Sequence, residues 1–171
     1  FLGLLWADGH VHQKGYQNSV SLSMVKTDAL DLEKLFNKIG KFGKYERQRL
    51  NKDGTKFGRK SITYVCSSKP LVNFLIRMDY KNKSTLSPTK ILQHIPAHLH
   101  NYFWHGLLDG DGCIYVLKRR YCAKLNFWGS ISQDWSSLIK CFSDFDIIPK
   151  HTTYSRKAKN GKIHNSSTLY L

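Results

Sequence analysis

The sequence predicts an α+β protein built from two copies of one unit, in which a helix, two strands, a second helix and two further strands follow one another. Three observations lead to this expectation. The segment from Gly3 to Gly9 recurs as the segment from Gly106 to Gly112. Alternating apolar and polar residues follow each copy, as in half-buried strands, and an apolar spacing typical of a helix comes next.

In the first unit, Val20–Val25 has the strand alternation, and Ala29–Ile39 has helical spacing with Asp28 as its predicted cap. Two extended stretches, Lys44–Leu50 and Lys60–Cys66, flank turn residues 51–54 and so predict a hairpin. Residues 69–80 are a further helix candidate. Residues 81–96 connect this unit to the second.

In the second unit, Lys124–Ile131 is the corresponding strand, and Trp135–Phe145 is the corresponding helix with Asp134 as its predicted cap. The stretches Lys150–Lys157 and His164–Leu171 flank an Asn-Gly turn. We therefore expect residues 1–96 to form an N-terminal repeat with its connector and residues 97–171 to form a C-terminal repeat. Because the second repeat stops before a counterpart of the 69–80 helix, the expectation is a fragment or a chain with disordered ends.

Composition narrows the possible functions. The 171 residues include 27 Lys or Arg and 12 Asp or Glu, which gives a formal charge of +15 and favours a polyanionic partner, nucleic acid before a membrane surface. A basic protein without such a partner is the alternative. The 41% hydrophobic content argues against disorder, and the apolar start of the chain is too short for a signal peptide. The four cysteines form no C-x-x-C pair, which argues against a zinc site and for a reducing intracellular compartment.

The repeated segments combine two unusual features. Read as the helices Phe1–Asp8 and Tyr102–Asp111, they carry small residues one turn apart, Gly3 with Ala7 and Gly106 with Gly110. Glycine costs a helix about 1 kcal/mol relative to alanine, so close packing of the two backbones is the expected compensation.

Each of these helices ends in an aspartate, Asp8 and Asp111. Carboxylates at the negative ends of two adjoining helices repel unless a cation intervenes, and oxygen donors favour Mg²⁺ over zinc. By contrast, Asp53-Gly54 lies between two strand patterns and is interpreted as an ordinary turn.

Both segments resemble the LAGLIDADG motif of homing endonucleases. The second, from Trp104 to Gly112 with Ile95-Pro96 ahead of it, is similar to the motif at nearly every position, whereas the first has Trp6 where the motif has an aspartate. Residues 69–75 are similar to a stretch found in homodimeric members. The resemblance extends over almost the whole chain.

The resemblance implies two pseudo-symmetric αββαββ repeats, with the motif helices packed at the centre and two antiparallel sheets forming a DNA-binding saddle. It implies hydrolysis of both strands of a long asymmetric duplex DNA site by a monomer, with Mg²⁺ as cofactor and Mn²⁺ or Ca²⁺ able to substitute in binding. Asp8 and Asp111 would bind the metal with main-chain oxygens of Ala7 and Gly110. Lys83, with Lys81 as the alternative, would orient water and stabilise negative charge. The expected setting is intracellular, in the cytoplasm, nucleoid or an organelle, without membrane attachment.

Basic and polar residues on the predicted strands and loops are the candidate DNA contacts. Arg47 and Arg49 are expected to share one strand face, as are Lys118 and Arg120, and Lys124, Asn126, Trp128 and Ser130 are expected to share another. The full set of candidates is Lys14, Lys26, Arg47, Arg49, Lys52, Lys56, Lys118, Arg120, Lys124, Asn126, Arg156, Lys157, Lys159 and Lys162. His10 and His12 are interpreted as strand-face residues or DNA contacts.

Two alternatives stay open at this stage. The first is a cleavage-inactive nucleic-acid-binding protein of the same fold, either an RNA-splicing maturase or a DNA-binding regulator. The second is a domain excised from an intein. The two motif aspartates favour the endonuclease, because a protein that only binds has little use for two carboxylates at helix ends.

Overall fold

A computed structural model describes residues 1–51, 53–117, 122–157 and 163–171. The first half contains α1 (Leu2–Asp8), β1 (Gly9–Lys14), β2 (Gln17–Val25), α2 (Lys26–Ile39), β3 (Gly43–Leu50), β4 (Lys56–Cys66) and α3 (Lys69–Arg77). The connector contains two short 3₁₀ turns, Tyr80–Asn82 and Ala97–Leu99, and α4 (Thr89–Gln93). The second half contains α5 (His100–Asp111), β5 (Gly112–Leu117), β6 (Cys122–Ser130), α6 (Ser136–Ser143), β7 (Lys150–Lys157) and β8 (Ile163–Tyr170).

The strands form two antiparallel four-stranded sheets with the same topology. The first has the order β1-β2-β4-β3, and the second has the order β5-β6-β8-β7. In both sheets, the fourth strand of the repeat lies between the second and the third strands and pairs with both. The predicted α+β fold with two αββαββ repeats is confirmed. In the described part of the chain, no helix combines the length and apolar character needed to cross a membrane.

Residue contacts divide the chain into two compact units. The first consists of Phe1 with Asp8–Arg77, and the second consists of Leu2–Ala7 with Met78–Leu171. The body of α1 therefore packs with the second unit, although the sequence repeat assigns it to the first half. The predicted division of the sequence at residue 96 follows the repeat rather than this packing and stays a prediction.

The core of the first unit lies between α2, α3 and one face of the first sheet. Val20, Leu22 and Ile62 point from the strands towards these helices and are at most 1% exposed. Phe36 of α2 stacks on Tyr64 of β4 with ring centroids 4.1 Å apart. The Tyr64 hydroxyl donates a hydrogen bond to the Ala29 carbonyl (2.9 Å), and burial raises the pKa of this tyrosine.

The core of the second unit joins α6 to the second sheet. Phe127 and Leu169 are buried on the sheet. Trp135, at the cap position of α6, and Leu138, in its first turn, are also buried. Ser167 is fully buried, where its hydroxyl accepts a hydrogen bond from the Trp135 indole (3.0 Å) and donates one to the Ser130 carbonyl (2.7 Å). This hydroxyl therefore links the helix to the sheet.

Three element boundaries differ from the sequence prediction. α2 begins at Lys26, directly after β2, with extended Val25 at the cap position, so Asp28 lies inside the first turn rather than capping it. The predicted 69–80 helix ends at Arg77, because Asp79 has a left-handed backbone (φ 60°). α6 ends at Ser143, ahead of the left-handed Asp146 (φ 59°). At its start, Trp135 and not Asp134 occupies the cap position, and the Asp134 carboxylate, one residue earlier, accepts the Ser136 N–H (2.8 Å).

Candidate active site

The two motif helices, α1 and α5, contact each other through their backbones. A β-carbon added to Gly3 would lie 1.8 Å from the Phe103 carbonyl oxygen, and one added to Gly106 would lie 2.8 Å from the Leu4 nitrogen. No side chain fits at either point, so glycine is required there. The close packing predicted from the small residues is therefore confirmed.

The last turn of α1 is held by two residues of the connector. The Tyr80 hydroxyl and the Lys83 ammonium both donate to the Leu5 carbonyl, and Lys83 also donates to the Ala7 carbonyl. The Lys83 nitrogen lies 5.1 Å from the centroid of the Tyr80 ring, which is within range of a cation–π interaction. A positive charge is thus fixed at the negative end of a helix, where it is electrostatically favourable.

A cavity of about 200 Å³ opens beside this turn and brings together Ala7, Lys83 and Asp111. Its walls come from α5, β6, α6 and the connector, and they include all four tryptophans of the chain, Trp6, Trp104, Trp128 and Trp135. An acidic residue, a basic residue and a helix-end residue therefore line one cavity together with five aromatic side chains. Polar groups that converge in an aromatic cavity are typical of a ligand or reaction site.

Two residues of this cavity carry oxygen donors of the kind that a divalent cation accepts, although in the described part of the chain no group of three or more His, Cys, Asp or Glu side chains is placed to hold a metal ion. These donors are the Asp111 carboxylate and the Ala7 carbonyl, and the Ala7 carbonyl already accepts a hydrogen bond from the Lys83 ammonium. Gly110 is half-buried in the last turn of α5. Asp8 is exposed at the end of α1, where the first compact unit resumes. The shared metal site of Asp8 and Asp111 stays a prediction.

The position at which the first motif departs from the family pattern is part of the core. Trp6 is 4% exposed and packs edge-on against Tyr80, with ring centroids 5.7 Å apart. The corresponding residue of the second motif, Asp109, is exposed and has His105 nearby at 3.8 Å. Trp6 therefore strengthens the packing of α1 against the connector instead of presenting a polar group.

Each sheet has one face turned away from its core, which we call its open face. In the first sheet, strand register places on it His10, His12, Ser19, Ser21, Thr63 and Arg47, with Lys14 at the end of β1. The Ser23 and Thr63 hydroxyls, 2.7 Å apart, form a cross-strand hydrogen bond on this face. The histidines are therefore strand-face residues, as interpreted from sequence.

Lys26 lies on the other side of the first sheet. Its ammonium pairs with Glu46 of β3 (2.7 Å), and Lys60 pairs with the same carboxylate (2.9 Å). Glu46 is opposite buried Ile62 in the register and hence on the helix-covered face. The hydrogen bond from Lys26, followed by that from Lys60, lowers the pKa of Glu46 to about 2. Lys26 is therefore engaged away from the open face.

The open face of the second sheet carries polar and aromatic residues. Register places Lys124, Asn126, Trp128 and Ser130 on one face, as expected from their spacing. The neighbouring strands add Tyr115, Lys150, Tyr154 and Arg156 to it. Lys157 pairs with Ile163 and belongs to the opposite face, where it is exposed at the end of β7.

For the remaining predicted DNA contacts, the structure gives the strand alone, or the residue lies outside the described ranges. Arg49 and Lys56 lie on β3 and β4, and the register of these two strands shifts between Arg47 and Arg49. Five predicted residues lie outside the described part of the chain: Lys52, Lys118, Arg120, Lys159 and Lys162.

Acidic residues are excluded from both open faces. Glu46 is the one carboxylate within the eight described strands, and it lies on the helix-covered side of its sheet. Basic residues occur on both open faces, with Lys14 and Arg47 on the first and Lys124, Lys150 and Arg156 on the second. This segregation suits each face to a polyanion.

Sequence reasoning did not find Tyr80, Lys150 or Tyr154. The alternation of Thr152, Tyr154 and Arg156 along one strand could have indicated the last of these. Tyr80 has no comparable pattern, because its role depends on a contact with Leu5, which is distant in sequence.

Two αββαββ repeats, glycine-packed motif helices and a carboxylate at the end of the second helix define a class of fold. That class is the LAGLIDADG homing endonuclease fold, and the comparisons with known proteins agree. No protein-family model and no curated protein sequence matches the chain. Solved structures match over 99% of it.

Three of these structures illustrate the similarity. The homing endonuclease I-WcaI, bound to its DNA recognition sequence, matches with a TM-score of 0.61 at 14% identity over 72% of its own chain. The LAGLIDADG meganuclease I-CpaMI, bound to uncleaved DNA, gives 0.51 at 13% over 77%. A variant of I-DmoI, in complex with its target DNA in the presence of manganese, gives 0.51 at 14% over 84%. At these identities the similarity establishes the fold.

Proposed function

We propose that this chain is a sequence-specific endonuclease that hydrolyses both strands of duplex DNA at a long asymmetric site, acting as a monomer with Mg²⁺ as cofactor. The observation that carries the proposal is the cavity lined by Ala7, Lys83 and Asp111 in a LAGLIDADG fold, in which the Lys83 ammonium donates to the Ala7 carbonyl. The DNA-bound state of I-WcaI, which is similar in fold, supports DNA as the partner.

Asp8 and Asp111 would hold the metal through their carboxylates, with the carbonyls of Ala7 and Gly110. When bound, a divalent metal supplies charge neutralisation at the phosphate and lowers the pKa of a coordinated water. The all-oxygen donor set is compatible with Mg²⁺ and with Mn²⁺ in its place.

Lys83 supplies a second positive charge. Its ammonium is held at the end of α1 on the edge of the cavity, where it would stabilise negative charge developing on a scissile phosphate. Because its position is fixed before substrate binds, little reorganisation would be needed during reaction. The tryptophan walls would keep bulk water from the reacting groups and so strengthen this electrostatic effect.

The two open faces would bind the duplex. Lys14, Arg47, Lys124, Asn126 and Arg156 carry the donors that recognise base edges or phosphates. Lys157 and the predicted loop lysines would contact phosphates. The exclusion of carboxylates from these faces removes repulsion of the DNA backbone.

We further propose residues 1–96 and 97–171 as the two repeats of this enzyme, and a reducing intracellular compartment as its setting. Either origin of the gene, in an intron or in an intein, is compatible with this activity.

The deciding experiment incubates the protein with a library of duplex targets in Mg²⁺ and maps double-strand breaks by sequencing. The variants are Asp8→Asn and Asp111→Asn, and Asp109→Asn is the matched control, because Asp109 is an exposed carboxylate on the same helix as Asp111. We expect cleavage to fall by at least about 100-fold in the first two variants and by less than about twofold in the control, since each of the first two removes a charge that acts in the transition state.

The outcomes separate the candidate functions. Cleavage undiminished in both motif variants would refute the metal assignment. If the wild-type protein makes no breaks at any target but binds duplex DNA or intron RNA tightly, the cleavage-inactive binding protein is the correct assignment.

A further inference from the structure

Tyr80 is a buried residue that the catalytic assignment above does not use. It is 2% exposed, and its ring packs edge-on against Trp6 with centroids 5.7 Å apart. Its hydroxyl donates to the Leu5 carbonyl in the last turn of α1. Tyr80 therefore contacts both a side chain of the motif helix, that of Trp6, and its backbone, at the Leu5 carbonyl.

The backbone that presents Tyr80 is itself constrained. The preceding residue, Asp79, has a left-handed conformation (φ 60°), and its carboxylate pairs with Lys90 of α4 at 2.5 Å. A 3₁₀ turn over Tyr80–Asn82 follows at once and brings Lys83 to the same side as the tyrosine ring. The connector thus delivers an aromatic hydroxyl and an ammonium group to one helix end.

Tyr80 and Lys83 share an acceptor. Both donate to the Leu5 carbonyl, Lys83 at 3.4 Å, and the Lys83 nitrogen lies 5.1 Å from the Tyr80 ring centroid. Loss of the hydroxyl would remove one of the two connector donors from the Leu5 carbonyl and would change where the Lys83 ammonium sits relative to Ala7. A helix of only two turns has little stability of its own, so these connector contacts determine the position of its end.

We propose that Tyr80 is a positioning residue, which fixes the last turn of α1 and, through the shared Leu5 carbonyl, the ammonium of Lys83. This inference rests on the proposed endonuclease function, for which Ala7 and Lys83 are site residues. Tyr80 does not touch substrate and acts only through these two groups.

The test compares Tyr80→Phe with Tyr64→Phe. Tyr64 is the matched control, because it is also a buried tyrosine (3% exposed) whose hydroxyl donates to a helix carbonyl, that of Ala29 in the first compact unit. Both variants keep the ring and lose one buried hydrogen bond, so both are expected to lose a similar amount of stability in urea unfolding.

The first readout needs neither metal nor DNA. In NMR experiments, we expect amide hydrogen exchange in the last turn of α1 to accelerate about tenfold in Tyr80→Phe, with increased motion of the Lys83 ε-methylene, since one hydrogen bond is lost there. Tyr64→Phe should change neither signal. Unchanged exchange and unchanged Lys83 motion in Tyr80→Phe would overturn the positioning role, whatever the chain's activity.

The second readout separates catalysis from binding. At saturating target DNA in Mg²⁺, we expect Tyr80→Phe to slow single-turnover cleavage about tenfold with less than a twofold change in DNA affinity, and Tyr64→Phe to leave both unchanged. In a Lys83→Met background the same change should slow cleavage by less than about twofold, because a residue that acts through Lys83 is not additive with its loss. Additive effects would overturn the role through Lys83. Absence of cleavage by the wild type would instead refute the proposed function and leave the NMR result to decide on Tyr80.

Discussion

Gly3 and Gly106 are the residues on which the packing of α1 against α5 depends. At each, the space that a β-carbon would occupy is filled by backbone atoms of the opposite helix. Backbone atoms cannot move aside as a side chain can by changing rotamer. Even one added methyl group would therefore push the two helices apart. The cost of the substitution is therefore set by helix displacement rather than by side-chain repacking.

We expect Gly3→Ala to lower the free energy of unfolding by about 3 kcal/mol or more, at the upper end of overpacking effects, because its β-carbon would lie 1.8 Å from the Phe103 oxygen. Urea denaturation measures the change. Gly40→Ala is the control, since nothing lies within 4 Å of its added carbon, and its effect should stay within about 0.5 kcal/mol. Equal stability of the two variants would contradict the close backbone contact.

At this scale, the sequence predicts the role of a residue when that residue belongs to a repeated pattern. The glycines and terminal aspartates of the motif could be found because they recur, and the structure places Gly3 and Gly106 in the expected backbone contact, whereas the roles of the aspartates stay predictions. The roles of Trp6 and Tyr80 could not be found in this way. They depend on one contact between residues far apart in the chain, for which no local spacing exists.

At the scale of elements, a salt bridge connects β3 to the start of α2. Lys26 and Lys60 both bind the Glu46 carboxylate on the helix-covered face. The pKa of Glu46, lowered to about 2 chiefly by the Lys26 hydrogen bond, means that the ionised carboxylate favours the folded state. The resulting stability is present above the ordinary carboxyl pKa and is lost as the pH falls towards the folded-state value.

We therefore expect wild type to be more stable than Glu46→Gln at neutral pH and the difference to shrink steadily between about pH 4.5 and about pH 2, where the unfolded and then the folded carboxylate take up a proton. Thermal unfolding of both proteins across this range measures the difference. A gap that is unchanged between pH 6 and pH 8 is the internal control. A gap that persists at pH 2 would show that ionisation of Glu46 is not its cause.

Element types were predictable from sequence to a greater extent than element boundaries. Hydrophobic alternation and helical spacing predict β2, β6, α2 and α6, and turn residues predict the hairpins β3–β4 and β7–β8, whereas no pattern gave the bounds of β1 or β5. The start of α2 was wrong by three residues, because β2 continues directly into the helix without the loop that Asp28 would have capped. The end of the 69–80 helix was wrong because Asp79 adopts a left-handed conformation that its residue type permits but does not require.

At the scale of the whole molecule, the formal charge of +15 is arranged as two carboxylate-free open faces and a helix-covered side that holds Glu46. The sequence predicts the excess of charge and the choice of nucleic acid as partner. It does not predict the segregation, because the face on which a strand residue lies depends on register, and register follows from pairing between distant strands.

For binding to duplex DNA, we expect log affinity to fall with log salt concentration with a slope of about −5 or steeper between about 50 and 200 mM salt, as for roughly six phosphate contacts. Fluorescence anisotropy in Ca²⁺ measures the slope. Lys124→Ala on the open face should reduce it by about one. Lys60→Ala should leave it unchanged, because Lys60 pairs with Glu46 on the helix-covered face. A slope near zero would contradict binding through the open faces.

The backbone contact between α1 and α5 has a consequence for how such a chain can change over evolutionary time. A contact made of main-chain atoms requires glycine at two points and does not itself fix the side chains on the other sides of the two helices. The two motif copies show this freedom, since the same position holds buried Trp6 in one and exposed Asp109 in the other. The two copies of a duplicated motif can thus diverge in side-chain chemistry while the main-chain contact between α1 and α5 is kept.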